Sequence, residues 1–362
     1  MSGKILVALS GGVDSAVAAA LLKQAGHELI GATMQICFAE LGVSDKYASH
    51  GCYGISKCHD IDDARMVAQH LNIPFYVIDL CSEYKRDVLD EVMSGYAQGR
   101  TPNPCIYCNP RIKFGALVES AQKMGLKFEH IATGHYANVE YNAVSGRYLL
   151  KKGADVQKDQ SYFLSFLNQN QLGMVFFPLG GYSKSQVRRM AYELCLPVSD
   201  KPESQDFVSG GYHGLLHGVG QTGPIVDVHG CHVGTHNGIA HYTVGQHKGL
   251  NISAREKLYV IKILQETNTV VVGTESDLEQ SEMMVRCLNW IAVDGLSSAS
   301  RAEVKIRSKA ELAAATIEPL SDGVRVIFDV TQKRVTPGQA AVFYHGDVVL
   351  GAGIIDAMPA ES

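Results

Sequence analysis

Two short motifs carry the residues best suited to chemistry, and the first is SGGVDS at positions 10–15. Its two glycines permit a tight turn whose backbone N–H groups face one point, and a helix that follows would aim its positive end there, which favours phosphate. Ser10 and Ser15 add hydroxyls, and Asp14 could hold magnesium or shape the loop. The spacing matches neither GxxxxGK[ST] nor GxGxxG. The motif therefore predicts a phosphate-binding loop of another kind, with a plain glycine turn as the alternative.

The second motif is a CxxC pair, Cys105 and Cys108, inside TPNPCIYCN at 101–109. Its prolines stiffen the segment, and its thiols admit three interpretations. They are two reduced thiols of which only Cys108 reacts, a zinc or redox pair, or two of the three cysteines of an iron–sulfur site.

The elements that must position these motifs alternate between strand and helix over the first two hundred residues. Apolar runs predict strands at 4–10, 28–37, 73–80 and 130–137, and helical patterns fall at 16–26, 60–71, 84–97, 111–124 and 183–195. Such alternation predicts an α/β fold, a parallel sheet with flanking helices. Beyond about residue 202, short β-like runs separated by turns predict small antiparallel β-domains. We place three domains at 1–200, 201–280 and 281–362.

Composition narrows the class of protein. Of the 362 residues 46% are apolar and 19% charged, and the net charge is -5, which excludes a uniformly basic nucleic-acid binder. The uncharged stretch 207–226 contains six glycines and a proline, so no membrane span is expected. The nine cysteines and the absence of a signal-peptide pattern at the N-terminus predict a cytoplasmic protein with reduced, catalytic or metal-bound thiols.

SGGVDS resembles the signature of the PP-loop ATP pyrophosphatases. Further stretches follow in the order found in one family of that group, the tRNA-specific 2-thiouridylases: GRTPNPCIYCN, IKFG, ATGHYA, KDQSYFL, FPLGG, KPESQDF, HYTVGQHKGL and PGQAAVFY. The resemblance implies a PP-loop adenylating domain, a small central β-rich domain and a C-terminal β-barrel. It also implies an ATP-dependent sulfurtransferase that replaces the C2 oxygen of the tRNA wobble uridine with sulfur, using Mg2+.

The same resemblance assigns site residues. Cys108 matches the attacking cysteine. The ATP-binding positions are Ala8, Leu9, Ser10, Gly11, Gly12, Val13, Asp14, Ser15, Met34 and Gly134. The tRNA-binding positions are Asn103, Pro104, Cys105, His135, Lys158, Asp159, Gln160, Arg307, Ser308 and Gln339. We further expect Asp14 and Ser15 to lie on an exposed loop, so that alanine at either position spares the fold.

Two positions depart from the better-known members of the family. Those members have an aspartate where this chain has Cys105, and a second catalytic cysteine where it has Val208. A persulfide relay between two cysteines therefore does not carry over. We hypothesise instead that Cys52, Cys105 and Cys108 hold a 4Fe–4S cluster, with Cys58 and then Cys37 as substitutes for Cys52. In the alternative, Cys108 alone receives a persulfide from a sulfur-donor protein.

Weaker signals remain open. Seven histidines fall between 213 and 247, and HGCHVGTH at 229–236 suggests a metal, although a glycine-rich β-domain explains them better. Residues 301–345 contain seven basic and five acidic side chains, which fits either phosphate contact or an ordinary surface. Two rival functions stay in view: a PP-loop enzyme that adenylates a small molecule, and a thiolation-inactive tRNA-binding paralogue.

Overall fold

The structure is a computed structural model that describes residues 3–36, 56–202 and 220–356, with backbone only at 56–58. The chain divides into two compact units. The first unit comprises Met1–Val88, Tyr107–Gly214 and Asp347–Val349, and the second comprises Leu89–Ile106, Leu215–Gly346 and Leu350–Ser362.

The first unit is built on buried strands. The apolar run of Ile5, Leu6 and Val7 is fully buried, as expected for a parallel strand, which is covered on both faces. Its strands are β1 Ile5–Ala8, β2 Leu29–Gln35, β3 Phe75–Asp79, β4 His130–Ala132, β5 Ala137–Asn142, β6 Arg147–Lys152 and β7 Val175–Phe176. Five of them form a wholly parallel sheet in the order β3-β2-β1-β4-β7, and β5 and β6 form an antiparallel hairpin.

Helices flank this sheet and cover its core. The α-helices of the described residues are α1 Val13–Gln24, α2 Ser56–His70, α3 Cys81–Tyr84, α4 Asp90–Ala97, α5 Pro104–Cys108, α6 Leu117–Lys123, α7 Ser161–Leu164, α8 Gln169–Met174 and α9 Lys184–Glu193. Of these, α4 and residues 104–106 of α5 belong to the second unit. Two π-helical segments, Lys85–Leu89 and Asn109–Ala116, interrupt this series. On one side of β1, Ile5 and Val7 pack with the alanine-rich face of α1 and with apolar residues of α2 and α9.

The second unit contains two β-structures. The smaller has strands β8 Gly223–Asp227, β9 His232–His236, β10 Tyr259–Leu264 and β11 Thr269–Gly273, in the order β10-β11-β8-β9. The larger has β12 Glu279–Trp290, β13 Ser300–Lys305, β14 Ala313–Leu320, β15 Gly323–Lys333, β16 Ala340–His345 and β17 Val348–Asp356. Its order is β12-β15-β14-β13-β16-β17, and pairing of β12 with β17 closes the barrel around an apolar core.

The predicted fold class is confirmed: a parallel sheet with flanking helices, a small β-rich part and a C-terminal barrel. Some details differ from the sequence prediction. The central β-structure is not purely antiparallel, because β8 and β11 run parallel. The helices predicted at 84–97 and 111–124 both contain a π-helical segment. Domain boundaries near 200 and 280 stay predictions. Across the ranges described above, no helix combines the length and apolarity needed to cross a membrane.

Candidate active site

The candidate site lies at the carboxyl ends of the central strands β1 and β4 of the first unit's sheet. The chain proceeds from β1 outward to β2 and β3 on one side and to β4 and β7 on the other. Between β1 and β4 the direction of winding reverses, and ligands of open parallel sheets bind at such a point, beyond the carboxyl ends of the strands. The SGGVDS loop leaves β1 here, and Gly134 and His135 follow β4.

The phosphate loop is shaped by glycine and by serine hydroxyls. Gly11 has φ +74°, and a Cβ atom there would lie 2.2 Å from the carbonyl oxygen of Asp60 in α2, so only glycine fits. The Ser15 hydroxyl donates to the Gly12 carbonyl at 3.0 Å and accepts from the Ser10 N–H at 3.1 Å. Helix α1 begins directly after Gly12, which directs its positive end at the loop. The local geometry is that of an anion-binding loop.

The expectation that Asp14 and Ser15 lie on an exposed loop is wrong. Both belong to the first turn of α1, and Ser15 is only 4% exposed because its hydroxyl ties the turn together. Asp14 is half-buried and fully engaged. Lys184 Nζ lies 2.6 and 2.8 Å from its two carboxylate oxygens, and the Tyr136 hydroxyl donates to Oδ1 at 2.8 Å.

A second cation fixes the loop from the opposite direction. Lys201 Nζ donates to the Gly11 carbonyl at 3.1 Å and to carboxylate oxygens of Asp60 and Asp63, each at 2.5 Å. Burial by itself lowers the pKa of Lys201, but the two hydrogen-bonded carboxylates outweigh it and raise the pKa above its ordinary value. Lys201 therefore remains charged and links α2 to the backbone of the phosphate loop.

The turn after β4 closes against the same helix end. A Cβ atom on Gly134 would lie 2.6 to 2.9 Å from backbone atoms of Asp14 and Ser15, so this glycine permits the close approach. His135 is 9% exposed, is hydrogen-bonded through Nδ1 to Thr133 Oγ1 at 2.7 Å, and contacts the ring of Phe114. Burial, assisted by the charge of Lys113, holds the pKa of His135 well below its usual value, so the imidazole is neutral.

The remaining predicted ATP positions, Ala8, Leu9, Val13 and Met34, have apolar side chains. Ala8 ends β1, and the Leu9 N–H donates to the Ala32 carbonyl of β2 at 2.8 Å. The side chains of Leu9 and Val13 are buried in the core under the loop. Met34 is half-buried near the carboxyl end of β2, opposite Ile78 of β3. The structure thus brings all ten predicted ATP positions to the carboxyl ends of β1, β2 and β4.

The two motif cysteines lie one helical turn apart on α5, in different environments. Cys108 is 5% exposed, whereas Cys105 is half-buried and its N–H is held by Asn103 Oδ1 at 3.0 Å. A π-helical segment starts directly afterwards, and Gln171 donates to its Pro110 carbonyl at 2.7 Å. Such segments are frequent at functional sites.

Asn109, the residue after Cys108, is only 1% exposed. Its amide nitrogen donates to the Phe163 carbonyl at 2.8 Å, while its Oδ1 has no hydrogen-bond partner within the described part of the chain. The chain thus holds Cys108 between a short α-helix and a tethered π-helical segment.

The structure describes two of the three cysteines in the iron–sulfur hypothesis, Cys105 and Cys108. Cys52 and Cys37 lie outside the described residues, and the side chain of Cys58 is likewise not described. No group of three or more His, Cys, Asp or Glu side chains with metal-binding geometry occurs among residues 3–36, 56–202 and 220–356, side chains of 56–58 excepted. Two adjacent-turn thiols on α5 suit soft metal ions as a donor set, but they supply only two ligands.

The predicted tRNA positions are divided between the two units. His135, Lys158, Asp159 and Gln160 belong to the first unit, and Asn103, Pro104, Cys105, Arg307, Ser308 and Gln339 belong to the second. Asp159 and Gln160 also shape their own loop: Asp159 Oδ1 accepts from the Gly153 and Ser161 N–H groups, and Gln160 Oε1 accepts from the Tyr136 N–H at 2.9 Å. Gln339 donates to the Thr101 carbonyl at 2.7 Å.

Sequence reasoning missed the polar residues that support the phosphate loop: the charged Lys184, Lys201, Asp60 and Asp63, and the hydroxyl of Tyr136. Tyr136 and Lys201 stood in quoted motifs, ATGHYA and KPESQDF, but no role was inferred for them. Lys184 lies 170 residues from Asp14, so no local pattern could pair the two.

Models of known protein families match three consecutive parts of the chain. A tRNA methyl transferase HUP domain matches residues 3–209, a tRNA methyl transferase PRC-barrel domain matches 216–274, and an aminomethyltransferase beta-barrel domain matches 280–355. The tRNA-specific 2-thiouridylase MnmA of Acetivibrio thermocellus is 45% identical over 360 residues, covering 97% of this chain and 99% of the relative. That of Endomicrobium trichonymphae is 44% identical, covering 97% and 98%.

Similarity to solved structures is much slighter. The NMN synthetase of Francisella tularensis has a TM-score of 0.32 at 21% identity, covering 60% of this chain and 69% of that one. A similarity of this size supports no statement about function.

Proposed function

Because the chain belongs to the tRNA-specific 2-thiouridylase family, we propose that it is a tRNA-uridine 2-sulfurtransferase, which uses ATP to replace the C2 oxygen of the wobble uridine with sulfur. The observation that carries the proposal is the phosphate loop between β1 and β4, where the direction of winding reverses, with its glycine turn and the N-terminus of α1 directed at one place.

The reaction divides into activation and displacement. In activation, the uridine C2 oxygen attacks the α-phosphorus of ATP, an O–P bond forms, and the bond to pyrophosphate breaks. A carbonyl oxygen is a poor leaving group, and the AMP attached to it converts it into a good one. In displacement, sulfur bonds to C2 and AMP departs with the original oxygen. The backbone N–H groups of Gly11 and Gly12 and the N-terminus of α1 are proposed to bind the phosphates, because the Ser10 N–H already donates to the Ser15 hydroxyl.

Mg2+ is proposed to accompany ATP, because divalent ions shield phosphate charge in such reactions. The contacts of Asp14 support one of its two predicted roles over the other. Both of its carboxylate oxygens lie against Lys184 Nζ, and Tyr136 also donates to it. This arrangement favours shaping the loop over direct ligation of the ion.

Cys108 is the proposed nucleophilic or sulfur-carrying residue. Its burial shields the thiol from bulk solvent, which protects a reactive sulfur species from side reactions. Cys105 lies one turn away on the more exposed side of the helix.

Two routes for the sulfur are retained. In the first, Cys105 and Cys108 of α5 and Cys52, which lies outside the described residues, hold a 4Fe–4S cluster. When bound, such a cluster would supply an iron site without a protein ligand at which sulfide can be held. In the second route, a sulfur-donor protein delivers a persulfide to Cys108, and its outer sulfur bonds to C2 as AMP departs. A low-molecular-weight thiol then breaks the S–S bond, which releases the 2-thiouridine and leaves that thiol in a mixed disulfide with Cys108.

The partners and location follow from the substrate. The tRNA contacts are proposed at His135 and the loop around Lys158–Gln160, at 103–105, and at Arg307, Ser308 and Gln339. A basic side chain such as Arg307 suits a phosphate of the tRNA backbone. Because tRNA is the substrate, we place the protein in the cytoplasm.

The decisive experiment measures two products with purified protein. Pyrophosphate release from ATP is followed with and without unmodified tRNA, and the tRNA nucleosides are then analysed by mass spectrometry for 2-thiouridine. We expect pyrophosphate only with tRNA, and 2-thiouridine once a sulfur source is added. Pyrophosphate released with a small molecule and without tRNA would identify a different adenylating enzyme. Binding of tRNA without any pyrophosphate release would identify an inactive paralogue.

A further inference from the structure

Three elements of the first unit converge on Asp14, the one acidic side chain of the phosphate loop. Lys184 approaches from the first turn of α9 and contacts both carboxylate oxygens, and its side chain is only 13% exposed. Tyr136 approaches from the turn after β4, where it is buried, and donates its hydroxyl to Oδ1. The ammonium group of Lys184 also lies 5.8 Å from the centre of the Tyr136 ring. The carboxylate of Asp14 is thus held in one orientation, and the ammonium group of Lys184 balances its charge.

Lys184 is itself held from two directions. Ser183 and Gln186 form a reciprocal capping box that fixes the start of α9, so Lys184 occupies the first helical position. The backbone N–H of Lys184 donates to Asp155 Oδ2 at 2.9 Å. Because the backbone at Lys184 is already ordered, pairing with Asp14 costs only the conformational entropy of the side chain, which favours a stable ion pair.

Tyr136 is fixed by the neighbouring loop. Its N–H donates to Gln160 Oε1 at 2.9 Å, and its carbonyl accepts from the Gln160 N–H at 2.9 Å. The hydroxyl therefore reaches Asp14 from a backbone that hydrogen bonds hold on both sides. Hydrogen bonds to a carboxylate are stronger than those between neutral groups, so the phenol contributes to orientation as well as packing.

The contacts of Asp14 affect ATP binding because its carboxylate has the same sign of charge as the phosphates. The loop binds an anion through partial positive charges of N–H groups and a helix end, which together amount to about half a unit charge. An unpaired carboxylate in the same turn would oppose that attraction. Lys184 removes this opposition, and Tyr136 holds the carboxylate against Lys184.

We propose that Lys184 and Tyr136 are positioning residues of the adenylation step, which act through Asp14 to fix the phosphate loop and keep it receptive to the phosphates of ATP. The proposal rests on the proposed function only in naming adenylation as the step that benefits. Its effect on ATP binding stands apart from the identity of the nucleophile.

The test compares four variants with the parent protein: Lys184→Met, Lys184→Arg, Tyr136→Phe and Arg189→Met. Arg189 is the matched control, because it lies on the same helix in an exposed pair with Glu193. Rates of tRNA-dependent pyrophosphate release are measured over a range of MgATP concentrations. We expect Lys184→Met to raise KM for MgATP roughly tenfold and by more than it lowers kcat, with a smaller rise for Tyr136→Phe. Lys184→Arg should recover most of the loss, and Arg189→Met should match the parent.

A double-mutant cycle separates positioning from a general structural role. Dissociation constants for MgATP are measured by equilibrium binding for Lys184→Met, Asp14→Asn and the combined variant. If Lys184 acts through Asp14, Lys184→Met weakens binding much less when Asp14 is already neutral. Equal losses in both backgrounds would overturn the proposal. If Lys184→Met does not fold, the cycle is run with Tyr136→Phe, and additive effects there would also overturn it.

The binding measurement keeps the two proposals distinguishable. A parent protein that binds MgATP with the expected coupling but releases no pyrophosphate with tRNA would refute the proposed function and leave the inference standing. A parent that thiolates tRNA while Lys184→Met retains the parental KM would refute the inference alone.

Discussion

The phosphate loop and the cysteine helix α5 are both short motifs with reactive groups, but the chain supports them differently. Around the loop, Asp14 is paired with Lys184, and Lys201 is paired with Asp60 and Asp63, all within the first unit. On α5 the reactive groups are two thiols, one buried and one half-buried, and the described residues bring no third metal-binding side chain to them. The comparison shows that ion pairs inside one unit hold the phosphate loop, whereas the described residues bring only two metal-binding side chains together on α5.

The largest expected effect tests whether the two regions act separately. Cys108→Ala should abolish 2-thiouridine formation while tRNA-dependent pyrophosphate release continues, because the loop does not use the thiol. Both products are measured in the same reaction mixture. Cys231→Ala, at an exposed cysteine of the second unit, serves as the control and should leave both unchanged. Loss of pyrophosphate release in Cys108→Ala would contradict the separation.

The route of sulfur is decided with the same cysteine series. Oxygen-free purification should give a brown protein with about four irons per chain if the cluster is present. Cys52→Ala, Cys105→Ala and Cys108→Ala should then each lose iron and thiolation together. A colourless protein that thiolates tRNA with a persulfide donor, and does so with Cys105→Ala, would instead support delivery to Cys108.

The next effect sharpens the account of the phosphate loop by separating charge from architecture. Asp14→Ala and Ser15→Ala should each reduce pyrophosphate release by roughly a hundredfold or more, the usual scale for losing a preorganised contact in an active site. Ser15→Ala should also lower the stability of the fold, because it removes the hydroxyl that accepts from the Ser10 N–H and donates to the Gly12 carbonyl, two hydrogen bonds worth about 0.5–1.5 kcal/mol each. Urea unfolding of Ser15→Ala and of the parent measures this loss, and equal stability of these two proteins would contradict the assigned role of the Ser15 hydroxyl.

The smallest effect concerns His135, which lies between the two regions. Gly134 before it packs on the backbone of Asp14, and the His135 ring contacts Phe114 in the π-helical segment after Cys108. Since the folded pKa of His135 is depressed, the unfolded chain binds the extra proton, and stability is lost as pH falls below about 6.5. His135→Gln should reduce this loss by up to about 1.4 kcal/mol per pH unit.

The measurement is urea unfolding of parent and His135→Gln at pH 7, 6 and 5. Other histidines titrate in both proteins, so the difference between the two slopes isolates His135. Identical slopes would mean that the imidazole is not held neutral in the folded protein.

The fold class could be predicted because its cause is local. Apolar runs of four to eight residues, separated by helical patterns, demand a parallel sheet with flanking helices, and the structure has both. The π-helical segments were missed because segments of 5 and 8 residues are too short to show a periodicity of their own in the sequence. The parallel pairing of β8 with β11 was missed because strand partners are chosen in three dimensions, and short β-runs carry no record of their neighbours.

The sequence by itself determined the chemistry of the two motifs, since glycine, serine and cysteine at those spacings restrict what the backbone and side chains can do. Tertiary structure alone decided the charge state and exposure of those groups. Lys184 and Tyr136 reach Asp14 from 170 and 122 residues away, and Lys201 reaches Asp60 across 141. Electrostatic energy depends on distance in space and on burial, and neither quantity is set by position along the chain.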